Sequence, residues 1–223
     1  MEKFVMSRFK KYLEQLKKLD IKNSFFNIYQ TSEKVVMILS GSSCYETAAL
    51  SEEQKEFLSI FKKYGYDIVE SNFPYNLAFP YKNYVDENLI KASYVTAIYY
   101  IHTLKNREFQ NQIKKHLEGI FKLKKVIIIT QSSGLNVLNR FLDFFEEEDF
   151  KATDIKVFSL GPVAKETKKL KMLDYTIIKG KYDEYSRGLD CHKTDVWLKC
   201  RHLGYLKNKE LLKYIEEYLE DNL

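Results

Sequence analysis

The segment Val126–Leu142, VIIITQSSGLNVLNRFL, sets a run of small polar residues between an apolar stretch and a helical one. A serine in a tight strand-to-helix turn is lifted clear of the backbone, and with a base to take its proton it can attack an acyl carbon. Such a turn needs small residues two places to either side of the nucleophile. Thr130 and Gly134 fill those places if Ser132 is the nucleophile, and Ser133 then supplies the first amide of the helix. With Ser133 as nucleophile the downstream place would fall on bulky Leu135. The competing reading of this stretch is a plain helix N-terminus with a capping serine. Other chemistries fit less well. Cys191-His192 and Cys200-Arg201-His202 could hold zinc, but no C-x2-C pair is present, so the expectation is no metal. Cys44 has no histidine assigned to it and reads as a small pocket or core residue. Neither phosphate-cradling glycine motif follows a strand, and Ser40-Gly41-Ser42-Ser43 has no phosphate-contacting lysine.

These residues need elements to position them. Val5, Phe9, Tyr12, Leu13, Leu16 and Leu19 recur at helical spacing, predicting an amphipathic helix over residues 1–20. Docking on the body of the domain is the first reading of that helix; its basic polar side leaves a membrane or partner surface as the second. Strands are predicted at Phe25–Gln30, Val35–Leu39, Asp67–Ser71, Lys125–Thr130, Ile155–Leu160, Tyr175–Lys179 and Thr194–Lys199. Helices are predicted over 51–64, 86–105, 107–122 with a possible break at Gly119, 135–145, 163–172 and 207–219. The alternation points to one α/β domain over residues 1–223, a three-layer α/β/α sandwich on a mostly parallel sheet. Ligands gather at the carboxyl ends of such strands. The polar segments 40–45, 130–134, 180–184 and 200–203 all follow predicted strands.

At this point the chain resembles the α/β-hydrolase superfamily, in the manner of a small, lidless serine esterase or thioesterase. Thr130-Gln131-Ser132-Ser133-Gly134 is similar to its G-x-S-x-G elbow, with threonine for the first glycine. The superfamily orders its triad as serine, acid, histidine, which implies an acid in the stretch DYTIIKGKYDEYSR. Asp183, after the strand and its glycine, fits that loop better than Asp174 or Asp190, with Glu184 as the local substitute. Of four histidines, His102 and His116 fall within predicted helices and His192 precedes the last strand. His202 lies between that strand and the final helix, where the resemblance puts the catalytic histidine. The family's second oxyanion donor follows an early strand, which implies the Ser42 amide beside that of Ser133, with Ser40 standing where histidine is usual. The implied chemistry is acyl cleavage or transfer through an acyl-serine, with no cofactor. The same fold could also serve as a catalytically inactive ligand-binding or interaction module.

Composition limits the partners. Thirty-six Lys and Arg against 31 Asp and Glu give a net charge of +5, and the basic residues are scattered rather than striped. A nucleic-acid partner is therefore not expected. Three cysteines without a pairing framework suggest a reducing cytoplasm. The amino terminus lacks a signal-like apolar core, and no apolar run could span a bilayer. The connection from Leu160 to Tyr175 leaves no room for a large lid, which suggests an accessible, small-molecule acyl ester or thioester. Tyr45, Phe73 and Tyr75 are candidates for an aromatic wall of the substrate pocket. Nothing in the chain opposes a homo-oligomer.

Overall fold

The computed structural model describes every residue except 1, 43, 88, 166 and 223. In chain order the helices are α1 (Glu2–Lys18), α2 (Phe25–Ile28), α3 (Glu52–Ser59), α4 (Leu89–Lys105), α5 (Arg107–Leu117), α6 (Gly134–Leu142), α7 (Glu184–Leu189) and α8 (Lys209–Asp221). The strands are β1 (Val35–Ser40), β2 (Asp67–Ile68), β3 (Lys125–Gln131), β4 (Asp154–Leu160), β5 (Asp174–Gly180) and β6 (Val196–Leu198). They form one sheet in the order β2-β1-β3-β4-β5-β6, with every neighbouring pair parallel. The expected three-layer α/β/α sandwich on a parallel central sheet is what the chain adopts.

The strands are apolar on both sides because both sides are covered. Side chains alternate across a strand with period two. Val35, Met37 and Leu39 of β1, with Val126 and Ile128 of β3, enter a core shared with α1, α4, α5 and α6. Val36, Ile38, Ile127 and Ile129 enter a second core, under α3 and α8. Helix α3 starts where the sequence asks it to, with Ser51 and Gln54 closing a reciprocal capping box. Helix α1 lies on the body of the molecule, with Phe9, Tyr12, Leu13 and Leu16 buried; the side chain of Val5 lies outside the described residues. Arg8 ties the same helix to Glu46 in the loop after β1, with Nε 2.9 Å from Oε1.

Several expected elements change. Phe25–Gln30 is not a strand: Ser24 caps Phe26, and the run coils into α2 and a 3-10 turn at Tyr29–Thr31. Six residues are too few to show a period, and what remains of strand pairing is a bridge between Ser24 and Asn76. The helix expected over 163–172 shrinks to a 3-10 turn, Lys168–Met172, capped by Thr167. α5 gives way to a 3-10 turn at Glu118–Lys122, and Gly119 lies so close to Phe26 that a Cβ would stand 2.8 Å from its ring.

Candidate active site

The turn after β3 is built by close approaches. Ser132 sits at φ +54°, left-handed backbone that costs a non-glycine residue about 1–3 kcal/mol and persists only where the surroundings enforce it. Here its N–H donates to Leu160 O at 3.1 Å, and its own carbonyl accepts from Val163 N–H at 3.1 Å. Gly134 is compelled by space, because a Cβ there would stand 1.8 Å from Leu39 O. Thr130, the β-branched residue at the crowded upstream place, is accommodated by turning its hydroxyl sideways to donate to Ser159 Oγ at 2.9 Å.

Three side chains from distant parts of the chain converge at this turn. His202 Nε2 lies 3.0 Å from Ser132 Oγ, and His202 Nδ1 lies 2.9 and 3.0 Å from the two oxygens of Asp183. A carboxylate can only accept, so Nδ1 carries the proton and Nε2 offers its lone pair to the serine hydroxyl. Asp183 is fully buried and caps α7, accepting from Ser186 N–H at 3.1 Å. Burial alone would raise its pKa, but hydrogen bonds from His202, Tyr205 and the Ser186 amide outweigh it and bring the pKa down to about 2. Asp183 is therefore anionic at neutral pH. Glu184, the local substitute, is exposed at the start of α7.

Tyr205 is a member of this cluster that the sequence reading did not name. Its hydroxyl donates to Asp183 Oδ2 at 2.6 Å and accepts from Gly180 N–H at 2.7 Å, clamping the acid to the end of β5. Burial pushes its own pKa upward. Gly161, at φ +52°, makes room for the pair: a Cβ would stand 2.5 Å from the Tyr205 ring and 2.8 Å from Asp183 Oδ2. Nothing in the pattern CRHLGYLKN marks that tyrosine, since its partner lies 22 residues away.

The loop after β1 reaches the same place. Gly41 packs so tightly on Ser133 that a Cβ would stand 2.1 Å from its Oγ. Ser42 Oγ donates to Cys44 O at 2.8 Å, and Ser42 O accepts from Thr96 Oγ1 at 3.2 Å, which fixes the loop against α4. Among the described residues, neither the Ser42 nor the Ser133 amide is engaged in a turn, loop or cap hydrogen bond. Ser40 is held by Asn72, whose Oδ1 accepts from its N–H at 3.1 Å.

Other expected residues lie elsewhere. Tyr45, Phe73 and Tyr75 do not form an open wall. All three are buried in the core under α1, α4 and α5, with the Tyr45 hydroxyl donating to Val95 O and that of Tyr75 to Ile38 O. Their large apolar areas are worth more in that core than at a surface. His192 and Lys179 flank a buried Asp190, with Nδ1 and Nζ 2.7 and 2.8 Å from its carboxylate. His116 packs beneath α1, near Leu16 O, and burial lowers its pKa to about 4. His102 stacks on Phe9. Of the zinc candidates, the Cys200 thiol is buried and pushed up to about 11, while His202 is committed to Asp183. Cys44 is buried, which raises its pKa, and it lies 3.1 Å from a Glu46 carboxylate oxygen. Cys44, Glu46 and Glu87 could together approach a cation, but Arg8 and Lys91 already neutralise the two acids.

Among the described residues, no helix is long and apolar enough to cross a membrane. No protein-family model matches the chain, and no curated protein matches it. In structure the chain is similar to a Trichoderma reesei cutinase solved in complex with a C11Y4 phosphonate inhibitor, at 12% identity and a TM-score of 0.49, over 86% of this chain and 83% of that one.

Proposed function

We propose that the protein is a serine hydrolase that cleaves or transfers the acyl group of an ester or thioester through an acyl-serine intermediate. The observation that carries this reading is the continuous run of hydrogen bonds from Ser132 through His202 to Asp183. His202 Nε2 takes the Ser132 hydroxyl proton as Oγ bonds to the acyl carbon. The carbonyl electron pair moves onto oxygen, where the Ser42 and Ser133 amides stabilise it, each donor being worth on the order of 3 kcal/mol. Asp183 holds the ring in the productive tautomer and balances its positive charge. The tetrahedral intermediate then expels the alcohol or thiol, which leaves with the proton from His202. Water or another acceptor, deprotonated by the same ring, releases the acyl group and restores the serine. None of these steps requires a metal or an organic cofactor. The three cysteines are free, which supports placing the reaction in a reducing cytoplasm.

The second reading is a binding module of the same fold without turnover. The feature favouring it is Ser40, tied to Asn72, where the resemblance implies a histidine. A fluorophosphonate separates the two. The expected outcome is covalent labelling of the wild-type protein, lost in Ser132→Ala. Hydrolysis of a panel of short- to long-chain esters and thioesters should fall at least about ten-thousandfold in the same variant. Ligand binding by a protein that neither labels nor turns over would overturn the enzyme reading.

A further inference from the structure

On the outer edge of the sheet, Lys181, Arg187 and Trp197 line an open groove of about 330 Å³. It has a defined relation to the nucleophile. The strand register runs Gln131, Leu160, Ile178, Val196 across β3, β4, β5 and β6; Ser132 follows Gln131 in the turn after β3, and Trp197 follows Val196 in β6. Three strand spacings separate them, about 14 Å. Val196 and Leu198 pack toward the α3 and α8 layer, which turns Trp197 to the opposite face, where it is 48% exposed. The Lys181 backbone is fixed to β6, its N–H donating to Leu198 O at 2.8 Å, and the Arg187 guanidinium is held by Nη1 donating to Lys181 O at 3.0 Å. Among the described residues neither Lys181 nor Arg187 forms an ion pair. Nearby Asp183 and Asp190 are turned inward, onto His202 and Tyr205 and onto Lys179 and His192.

The groove also lies on a particular side of the reacting bond. The proposed oxyanion loop follows β1, on one flank of β3, whereas His202 and α7 lie toward the β5–β6 flank. His202 must hand its proton to the leaving group, so the alcohol or thiol portion of the substrate leaves toward that second flank. Tyr185, on the same helix as Arg187, is 60% exposed with its ring 5.1 Å from that of His202. We propose that the Lys181–Arg187–Trp197 groove is a second binding site, which takes an anionic group, phosphate or carboxylate, carried on the leaving-group arm of the substrate about 14 Å from the scissile carbonyl. Two uncompensated cations supply charge and donors for an oxyanion, and the indole supplies an apolar floor for the arm. The inference rests on the serine-hydrolase reading for the placement of the acyl group.

Trp197 is the only tryptophan in the chain, so its fluorescence reports on the groove directly. The experiment titrates the intact protein, wild type and Ser132→Ala, with phosphopantetheine, with its neutral counterpart pantetheine, and with a thiol arm of like length ending in a carboxylate. The expected result is a saturable change with one or both anionic arms and none with pantetheine, weakened by salt. The double variant Lys181→Gln/Arg187→Gln should lose it. With thioesters of one acyl group on the same arms, that variant should raise KM for the anionic substrates about tenfold, which corresponds to about 1.4 kcal/mol, and leave the neutral one unchanged. Response to phosphate alone, or to both anions, identifies which group the site accepts. Equal responses to charged and neutral arms, or none to any, overturn the proposal even if Ser132 labels normally. Absence of labelling alongside a charge-selective fluorescence change would instead sink the hydrolase reading and leave an anion-binding site.

Discussion

At the scale of the residue, the site depends on a buried acid kept charged by its donors. Asp183 is buried, so each hydrogen bond to it counts for more than it would at a surface. Tyr205→Phe removes the 2.6 Å bond to Oδ2 and leaves Gly180 N–H without its acceptor. We expect it to cost about 1–2 kcal/mol of stability by urea unfolding. The pKa of Asp183 should rise from about 2 toward the ordinary carboxylate range, with a several-fold fall in kcat. Unchanged stability and kcat would show that His202 and Ser186 alone hold the acid. Ser132, Asp183 and His202, legible from the elbow, from their places after strands and from the triad order that the resemblance implies, are joined by hydrogen bonds in the fold. Tyr205 was not legible, because a tyrosine's value as a donor depends on which buried acceptor the fold brings to it. The same holds for Tyr45 and Tyr75: a phenol bonded to a backbone carbonyl in the core looks, in sequence, like one at a pocket.

At the scale of the element, close backbone approach decides geometry. The start of α6 presses on the end of β1 at Gly134, whose missing side chain leaves space for Leu39 O. Any Cβ there must push the helix off the strand. Gly134→Ala should therefore lose more than about 3 kcal/mol, or fail to accumulate folded, whereas an alanine at Gly188, which has nothing within 4 Å of a Cβ, should be tolerated. Thermal unfolding of the two variants tests this, and equal Tm values would refute the contact. The strands of this sheet were legible because they are continuous apolar runs, as in Val35–Leu39 and Lys125–Thr130. Phe25–Gln30 was not, since Phe25 and Phe26 are both buried while Ile28 is exposed, a pattern too short to distinguish a helical turn from a strand. The caps of Asp20 and Ser24 decide it, each accepting from the backbone two residues on.

At the scale of the whole molecule, the stability of the fold and the charge state of the site are one equilibrium. Asp183 titrates near 2 in the folded chain, below its value of about 4 when unfolded. The unfolded state then binds the proton more readily, so this carboxylate stabilises the native protein fully above about pH 4 and loses that contribution as the pH falls through about 2. The shift corresponds to about 2 kcal/mol at neutral pH. Asp183→Asn removes the charge at every pH, so its deficit in urea unfolding against wild type should be largest above about pH 4 and shrink as acid protonates the wild-type side chain. A deficit that stays flat from neutral pH to about pH 2 would mean that the charge contributes nothing and the loss is one of hydrogen-bond geometry alone. The sequence could offer Asp183 as a candidate but not this coupling, because the depressed pKa arises from His202, Tyr205 and the Ser186 amide meeting it in a site closed by Gly161. That closure joins the ends of β4, β5 and the loop before α8, so the acid that orients the proposed base also pins three segments of the fold.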